Sequence, residues 1–416
     1  MLVAVVVALT GFGIRWLWIE LAVNHHLAQA RVAVQRWHNH DAIPHLEYCR
    51  QHRPQNPEVL LLASRVARRT ERMSEAEAFL DEYTQRHGET DELVFERLLY
   101  RATRGDTDAT ATALQVRIRQ GGESARLAWE ALIFGYVAEF RFGEARAVLT
   151  AWQTAMPDDP VAIYFDGRLK VEEGGNDQAA EAFRQALERD PKLASARLQL
   201  ANLLVSRRRG DEALTELSIL RQQLPFHPEV QILWVRALAL VGRTAEARAE
   251  LDQCLRHHPE LPSALIERGN FALLDGDESA AVDYLSQAIQ RDPANIGARN
   301  QLALALSRLG RHDEAAREYE AIKQLTADSD RITELVRGAL QRDPTNAEIH
   351  RELGIIALRS GDVQAALRWF QSGLRVNANH LPTHRTLAVV YQELDNPILA
   401  AKHRAIAQRL SNQQGK

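Results

Sequence analysis

Five histidines near the N-terminus, His25-His26, His38, His40 and His45, are the first residues whose chemistry needs testing. A metal site would need such ligands to converge on one point with a second shell behind them. These spacings follow no single helical face, so they are expected to be solvated side chains on a helix and its turn. His257-His258, just before Pro259, is read the same way, as a helix C-terminus. The two cysteines, Cys49 and Cys254, are too far apart for a disulfide framework. Each follows an alanine by seven residues, a place where other segments put a small apolar residue, so both are expected to be packing thiols without an activated pKa. The acid pairs Glu172-Glu173 and Asp158-Asp159 fall at helix ends and turns, where carboxylates cap or meet solvent. The glycines are scattered and no strand-like alternation precedes them, so a phosphate-cradling loop is not expected. No catalytic residue, metal, cofactor or small-molecule substrate is expected.

The elements that carry these residues are helical and repeat. In 416 residues, 45% hydrophobic and 25% charged, 51 Lys and Arg stand against 55 Asp and Glu, a net charge of −4. That balance describes a folded, water-facing body with no cationic block to track a phosphate backbone, so nucleic acid is not an expected partner. Ala145, Ala179, Ala213, Ala247, Ala281 and Ala315 follow one another at intervals of 34 residues. Four residues after each comes Leu149, Phe183, Leu217, Leu251, Leu285 or Tyr319, and three further on Trp152, Ala186, Leu220, Cys254, Ala288 or Ile322. This is one face of a helix. Pro157, Pro191, Pro225, Pro259 and Pro293 then stop it. Upstream, a first helix carries its own stripe, Trp129, Leu132 and Tyr136 in one unit, with Gly167 and Gly269 at a close-packing place in others. Turns such as Glu173-Gly174-Gly175-Asn176-Asp177 and Leu309-Gly310-Arg311-His312-Asp313 join the two. Each unit is a helical hairpin.

This pattern resembles the tetratricopeptide repeat family, whose hairpin reads W-x₂-L-G-x₂-Y, then A-x₃-F and P. Ile163, Gly167, Ala179, Phe183, Ala186 and Pro191 match it in one unit; Leu353, Gly354, Ala366 and Phe370 match it in another. Ala42 and Ala76 mark two earlier repeats, Ala111 a looser one that absorbs a one-residue slip, and Ala366 and Ala400 the last two. The fold expected is an all-α solenoid of about eleven repeats over residues 24–410, followed by a polar tail, 411–416. Ala315 to Ala366 spans 51 residues, half a repeat too many. Residues 325–343 should therefore form either a lengthened helix or a second helix after a turn at Asp328-Ser329-Asp330, ending before Asp343-Pro344.

The resemblance also implies where a partner would sit, because in the family the first helices line a concave side. The positions that would face it are Tyr164, Arg168, Leu198, Asn202, Ile232, Arg236, Ile266, Asn270, Asn300, Leu304 and Arg351. Asparagine can pair with a peptide backbone and arginine with a carboxylate, which suits an extended, partly acidic polypeptide. Leu233 and Gly297 stand where chaperone-binding members carry the polar or basic residues of a C-terminal carboxylate clamp, so that specialised use is not expected. The implied role is a non-catalytic scaffold, or alternatively a targeting subunit that docks a separate enzyme such as a glycosyltransferase or kinase.

The N-terminus adds a membrane expectation. Leu2–Ile14 is almost purely apolar, and after Arg15 the run resumes through Trp16, Leu17, Trp18, Ile19, Leu21, Ala22 and Val23. Such a length could cross a bilayer, with Arg15 reaching toward the interface and the tryptophans at headgroup depth. Residues 1–23 therefore read as a single anchor, with a cleaved signal or a capping helix as alternatives. Arg15, Arg31 and Arg36 place the body on the cytoplasmic rather than the periplasmic side. With such a start the chain is similar to membrane-anchored bacterial members of the family.

Overall fold

The computed structural model describes the backbone of residues 2–343 and 345–414; side chains are described from Leu17 onward, apart from 337, 341 and 414. Every described element is helical. Two units follow each other, residues 1–247 and 248–416, with the boundary inside one helix. In the first unit the hairpins are α1 (Leu2–Gln35) with α2 (Asn39–His52), α3 (Pro57–Arg69) with α4 (Met73–His87), and α5 (Asp91–Thr103) with α6 (Thr107–Gln120). They continue with α7 (Gly122–Ala138) and α8 (Phe142–Ala155), α9 (Pro160–Glu172) and α10 (Asn176–Arg189), α11 (Ala194–Ser206) and α12 (Gly210–Gln223), and then α13 (Pro228–Leu240). Helix α14 (Thr244–His257) carries the boundary. The second unit continues with α15 (Pro262–Asp275) and α16 (Glu278–Arg291), α17 (Ile296–Arg308) and α18 (His312–Glu334), α20 (Ala347–Arg359) and α21 (Val363–Val376), and α22 (Leu381–Glu393) and α23 (Pro397–Gln414). Between α18 and α20 lie a π-helical turn, Leu335–Ala339, and the short α19, Leu340–Arg342.

Why the chain folds at these intervals is visible at each hairpin turn. Trp37, Glu71, Phe140, Arg208 and Asp395 have positive φ, as do Gly105, Gly174, Gly242, Gly276, Gly310 and Gly361. Merged in order, these residues recur every 34 positions, save for one step of 35 and one of 51. The same left-handed residue therefore turns each first helix into its second, supplied by glycine in some hairpins and at a conformational cost in the others. Arg208 is exposed and pays that cost. Replacing Arg208 with Gly is expected to stabilise the first unit by about 1 kcal/mol, read as a higher urea midpoint with an unchanged slope.

The marker alanines sit at the crossing of each hairpin: Ala42, Ala76, Ala145, Ala179, Ala213, Ala247, Ala281 and Ala366 are fully buried. One assignment shifts. Ala111 is only partly buried, whereas Thr110, 34 residues after Ala76, is fully covered and satisfies its hydroxyl by donating to the Asp106 carbonyl at 2.7 Å. Thr110 is thus the small residue of that hairpin, and the extra residue lies after it, at the Gly121-Gly122 start of the longer α7. The close approach at Gly167 is also real, since a Cβ there would lie 2.5 Å from the Phe183 ring. The prolines stand two residues past the ends of α8, α10, α12, α14 and α16.

One sequence expectation meets a different structure. No helix among the described residues is long and apolar enough to cross a membrane. The single-pass anchor at 1–23, the membrane partner and the membrane localisation are overturned by that finding. The side chains of residues 1–16 lie outside the described set. From Ile19 onward the same helix joins the repeat core instead: Val23 is 1% exposed and packs with Ala42, Leu46 and Cys49, and Glu20 pairs with Arg53. At the half-repeat, the lengthened helix is the one of the two expected forms that the chain adopts. No turn forms at Asp328-Ser329-Asp330; α18 runs straight through, because no glycine or proline interrupts it. Asp328 is buried and receives Arg359, with Nε 3.1 Å from Oδ2, while Arg331 grips Glu352 at 2.6 and 2.9 Å. The lengthened helix is thus clamped to α20, and the extra half-repeat is taken up by the longer α18, the π turn and α19 together.

Candidate functional site

In α9, α11, α13, α15, α17 and α20 the fifth and ninth residues share one face, and all eleven residues expected to meet a partner occupy those two places. In the first unit their surroundings differ sharply. Tyr164 is buried, its ring 5.3 Å from Trp37 and 5.9 Å from Phe183. Leu198 and Ile232 are buried too, Arg168 is half-buried with its guanidinium 5.1 Å above the Phe134 ring, Arg236 is half-buried and Asn202 is exposed. Burial pushes the Tyr164 phenol above its usual range, against the pull of Arg168 beside it.

What covers Tyr164 is the turn between α1 and α2. Trp37 is 2% exposed and donates from Nε1 to Glu130 Oε2 at 2.9 Å. Glu130 lies 34 residues before Tyr164, in the same column of the face, and the sequence reading passed over it. It is fully buried between two arginines of α3: Arg69 Nη2 at 2.7 Å and Arg68 Nη1 at 3.1 Å. Burial alone would raise this carboxyl, but the two guanidinium groups overcome it and hold it at about 2. Next to Trp37, His38 Nε2 lies 2.7 Å from Asp190 Oδ2, and His40 meets the His227 ring edge-on at 5.2 Å.

His38 is therefore buried and His40 half-buried, contrary to the expectation for this cluster. Burial, then His227 and Arg72, push His40 down to about 4, against a smaller opposing effect of Asp41. Because the unfolded chain takes up this proton near 6.5 and the folded one only near 4, the His40 contribution to stability falls as pH drops from about 6.5 to about 4 and changes no further below. The first unit should lose about 2–3 kcal/mol across that window, and His40→Gln should flatten the limb in urea titrations at stepped pH. His26 and His45 stay nearer the surface with their Nδ1 atoms 2.8 Å apart, one ring donating to the other, and His26 stacks on Tyr48 at 4.1 Å. Among the described residues no group of three or more His, Cys, Asp or Glu could hold a metal ion. Both cysteines are buried and their thiols are pushed up by burial. Asp159 caps α9 by accepting from Val161 N at 3.0 Å, and Glu173 receives Arg146 at 2.8 Å, the work expected of turn carboxylates.

The second unit offers a more open face. Ile266 is buried and Asn270 half-buried, its Nδ2 donating weakly to Glu267 at 3.4 Å while its Oδ1 is buried without a partner. Asn300 is exposed, Leu304 is 37% exposed, and Arg351 is half-buried and held by Glu348 at 2.9 Å. The same two columns continue through Ile355, Arg385 and Val389, which the sequence reading did not extend to; Val389 is 59% exposed. The 34-residue step from Arg351 and Ile355 was the signal available.

Two family models described as Tetratricopeptide repeat match the chain, one at residues 38–94, 170–240 and 272–337, the other at 232–296 and 334–379, together well over half of it. The chain belongs to the tetratricopeptide repeat family. Tetratricopeptide repeat protein 7B of Homo sapiens is 26% identical over 42% of this chain and 20% of its own length. Anaphase-promoting complex subunit 7 of Arabidopsis thaliana is 24% identical over 31% of this chain and 26% of its own. The match thus spans about a fifth to a quarter of these curated relatives. Among solved structures, the APC/C hetero-tetramer Cut9-Hcn1 aligns over 95% of this chain and 82% of that one, at 15% identity and a TM-score of 0.40. A tetratricopeptide repeat protein from Parabacteroides merdae aligns over 69% and 99%, at 16% and 0.34.

Proposed function

We propose that this tetratricopeptide repeat chain is a non-catalytic scaffold that holds an extended segment of another protein against its first-helix faces. The observation that carries the reading is the face of the second unit. There the ninth places of α17, α20 and α22 hold Leu304, Ile355 and Val389, and the fifth places hold Asn300, Arg351 and Arg385. Apolar contact would supply affinity, and the exposed Arg385 favours a segment with acidic side chains. In the first unit the matching surface is Asn202, Arg168 and Arg236, with Tyr164, Leu198 and Ile232 beneath it; in the second, Ile266 underlies Asn270. A second reading, in which the chain docks a separate catalytic subunit, is favoured by one relative's name as a subunit of a complex; co-purifying activity would distinguish it.

A photo-crosslinking amino acid placed in turn at Asn300, Leu304 and Val389 should trap a defined protein from a lysate of the source organism. The same probe at Lys323, exposed on the second helix α18, should not. Equal capture from Lys323 would remove the first-helix face from the account.

A further inference from the structure

The turn between α1 and α2 reaches far along the chain. Gln35 Nε2 donates to Glu123 at 3.2 Å, Arg126 donates to the Gln35 carbonyl, Trp37 touches Glu130, Tyr164 and Phe165, His38 meets Asp190 and His40 meets His227. Hairpin one is thereby joined to helices α7 and α9 and to the turns that precede α11 and α13.

Three observations bear on how permanent that union is. Among the described residues, Trp37 is the sole member from hairpins one and two in the large core cluster of the first unit; the buried apolar side chains of α1 and α2 pack in a separate cluster with α3. The apolar part of the attachment is therefore one side chain. The receptor is also compensated without the corner, since Glu130 keeps Arg68 and Arg69 and Asp190 Oδ1 accepts from Lys192 N at 3.0 Å. Withdrawing the corner leaves no buried charge unpaired, the outcome that ordinarily makes such a contact irreversible. Finally, the φ of +64° at Trp37 has the sign found at every hairpin turn and does not depend on the seat, so the turn needs no refolding when the ring leaves.

We infer that this corner is a latch: an internal occupant of a seat for an aromatic side chain followed by an imidazole or cationic one, which an external segment carrying the same pair can take when the latch opens. The external part rests on the reading of the first-helix face as a recognition surface; the latch does not. In the closed chain the corner is present at high effective concentration and outcompetes a free peptide.

Hydrogen exchange of the full chain tests the latch. The amides of Trp37 and His38, bonded to the Val34 and Ala33 carbonyls, should exchange at least about tenfold faster than those of α9 around Phe165, through a local opening. If they exchange only together with α9, the corner is a fixed part of the core and the latch is refuted. Recognition is tested with a fluorescent peptide of residues 33–41. It should bind a Trp37→Ala/His38→Ala variant at least about tenfold more tightly than the wild type, and the same peptide with its tryptophan changed to alanine should bind neither. A peptide that does not discriminate overturns the seat while leaving the latch to the exchange result. Should the double variant lose its helical circular dichroism, the exchange measurement on the wild type still decides, and tightening of the corner's protection by excess peptide would itself count against a shared seat.

Discussion

Glu130→Ala should lower the stability of the first unit by about 3–5 kcal/mol, the range for breaking a buried ion pair from one side. The loss has a specific origin. Glu130 accepts from Arg69 Nε and Nη2 and from Trp37 Nε1, and it pairs with Arg68 Nη1. Arg68 depends on it heavily, since its Nε and Nη2 are buried without partners and its other bond is to Thr103 at 3.1 Å. Removing the carboxylate strands two guanidinium groups in a site that water does not reach. The pH dependence follows with a definite sign. The folded carboxyl sits at about 2 against 4.5 ordinarily, so its contribution is complete above about 4.5 and is lost as pH falls toward 2. Urea midpoints of wild type and variant should therefore converge on acidification. A triple replacement, Arg68→Met, Arg69→Met and Glu130→Leu, should recover much of the loss, because it removes the charges together. If Glu130→Ala costs under about 1 kcal/mol, water or a rearranged partner reaches these arginines and the site is not dry.

Trp152→Ala is the second large effect, at about 3–5 kcal/mol. Trp152 is fully buried, stacked on Trp129 at 5.9 Å and tilted against Phe165 at 5.7 Å, and its Nε1 donates to Asp159 at 3.1 Å. Truncation opens a cavity between α7, α8 and α9 and removes one donor from the carboxylate that starts α9, which Arg126 still holds at 2.9 Å. Since each hairpin leans on its neighbours, the damage should spread along the array before it fades. Hydrogen exchange should show lost protection in α7 to α10 first, and Trp152→Phe, which refills most of the volume without the N–H, should restore about half of the loss.

The parts of this architecture legible in the sequence are those that each hairpin settles locally. A small residue at a helix crossing recurs every 34 positions because the crossing does, and Ala145 through Ala315 reveal it directly. Ala111 misled because alanine is the obvious small residue, whereas Thr110 fits by turning its hydroxyl onto Asp106. The eleven expected partner residues lie on first helices, but periodicity gives a column and not its cover. Nothing in a 34-residue repeat says that Trp37 will meet Tyr164, so the burial of that part of the face had no sequence signal. Glu130 was hidden for the opposite reason: a carboxylate in a first helix reads as solvated until the arginines from α3 are brought to it. The apolar start illustrates a limit of hydropathy, since Val23 and Leu27 are as apolar in a hairpin core as in a bilayer.

Cys49 and Cys254 stand at the same place in their repeats, seven residues after the crossing alanine, and one falls in each unit. The chain thereby carries a matched pair of chemical clocks. Neither thiol can be alkylated until its own hairpin breathes, so the two labelling rates, resolved by peptide mass, time the opening of each half of the molecule independently and without any added probe.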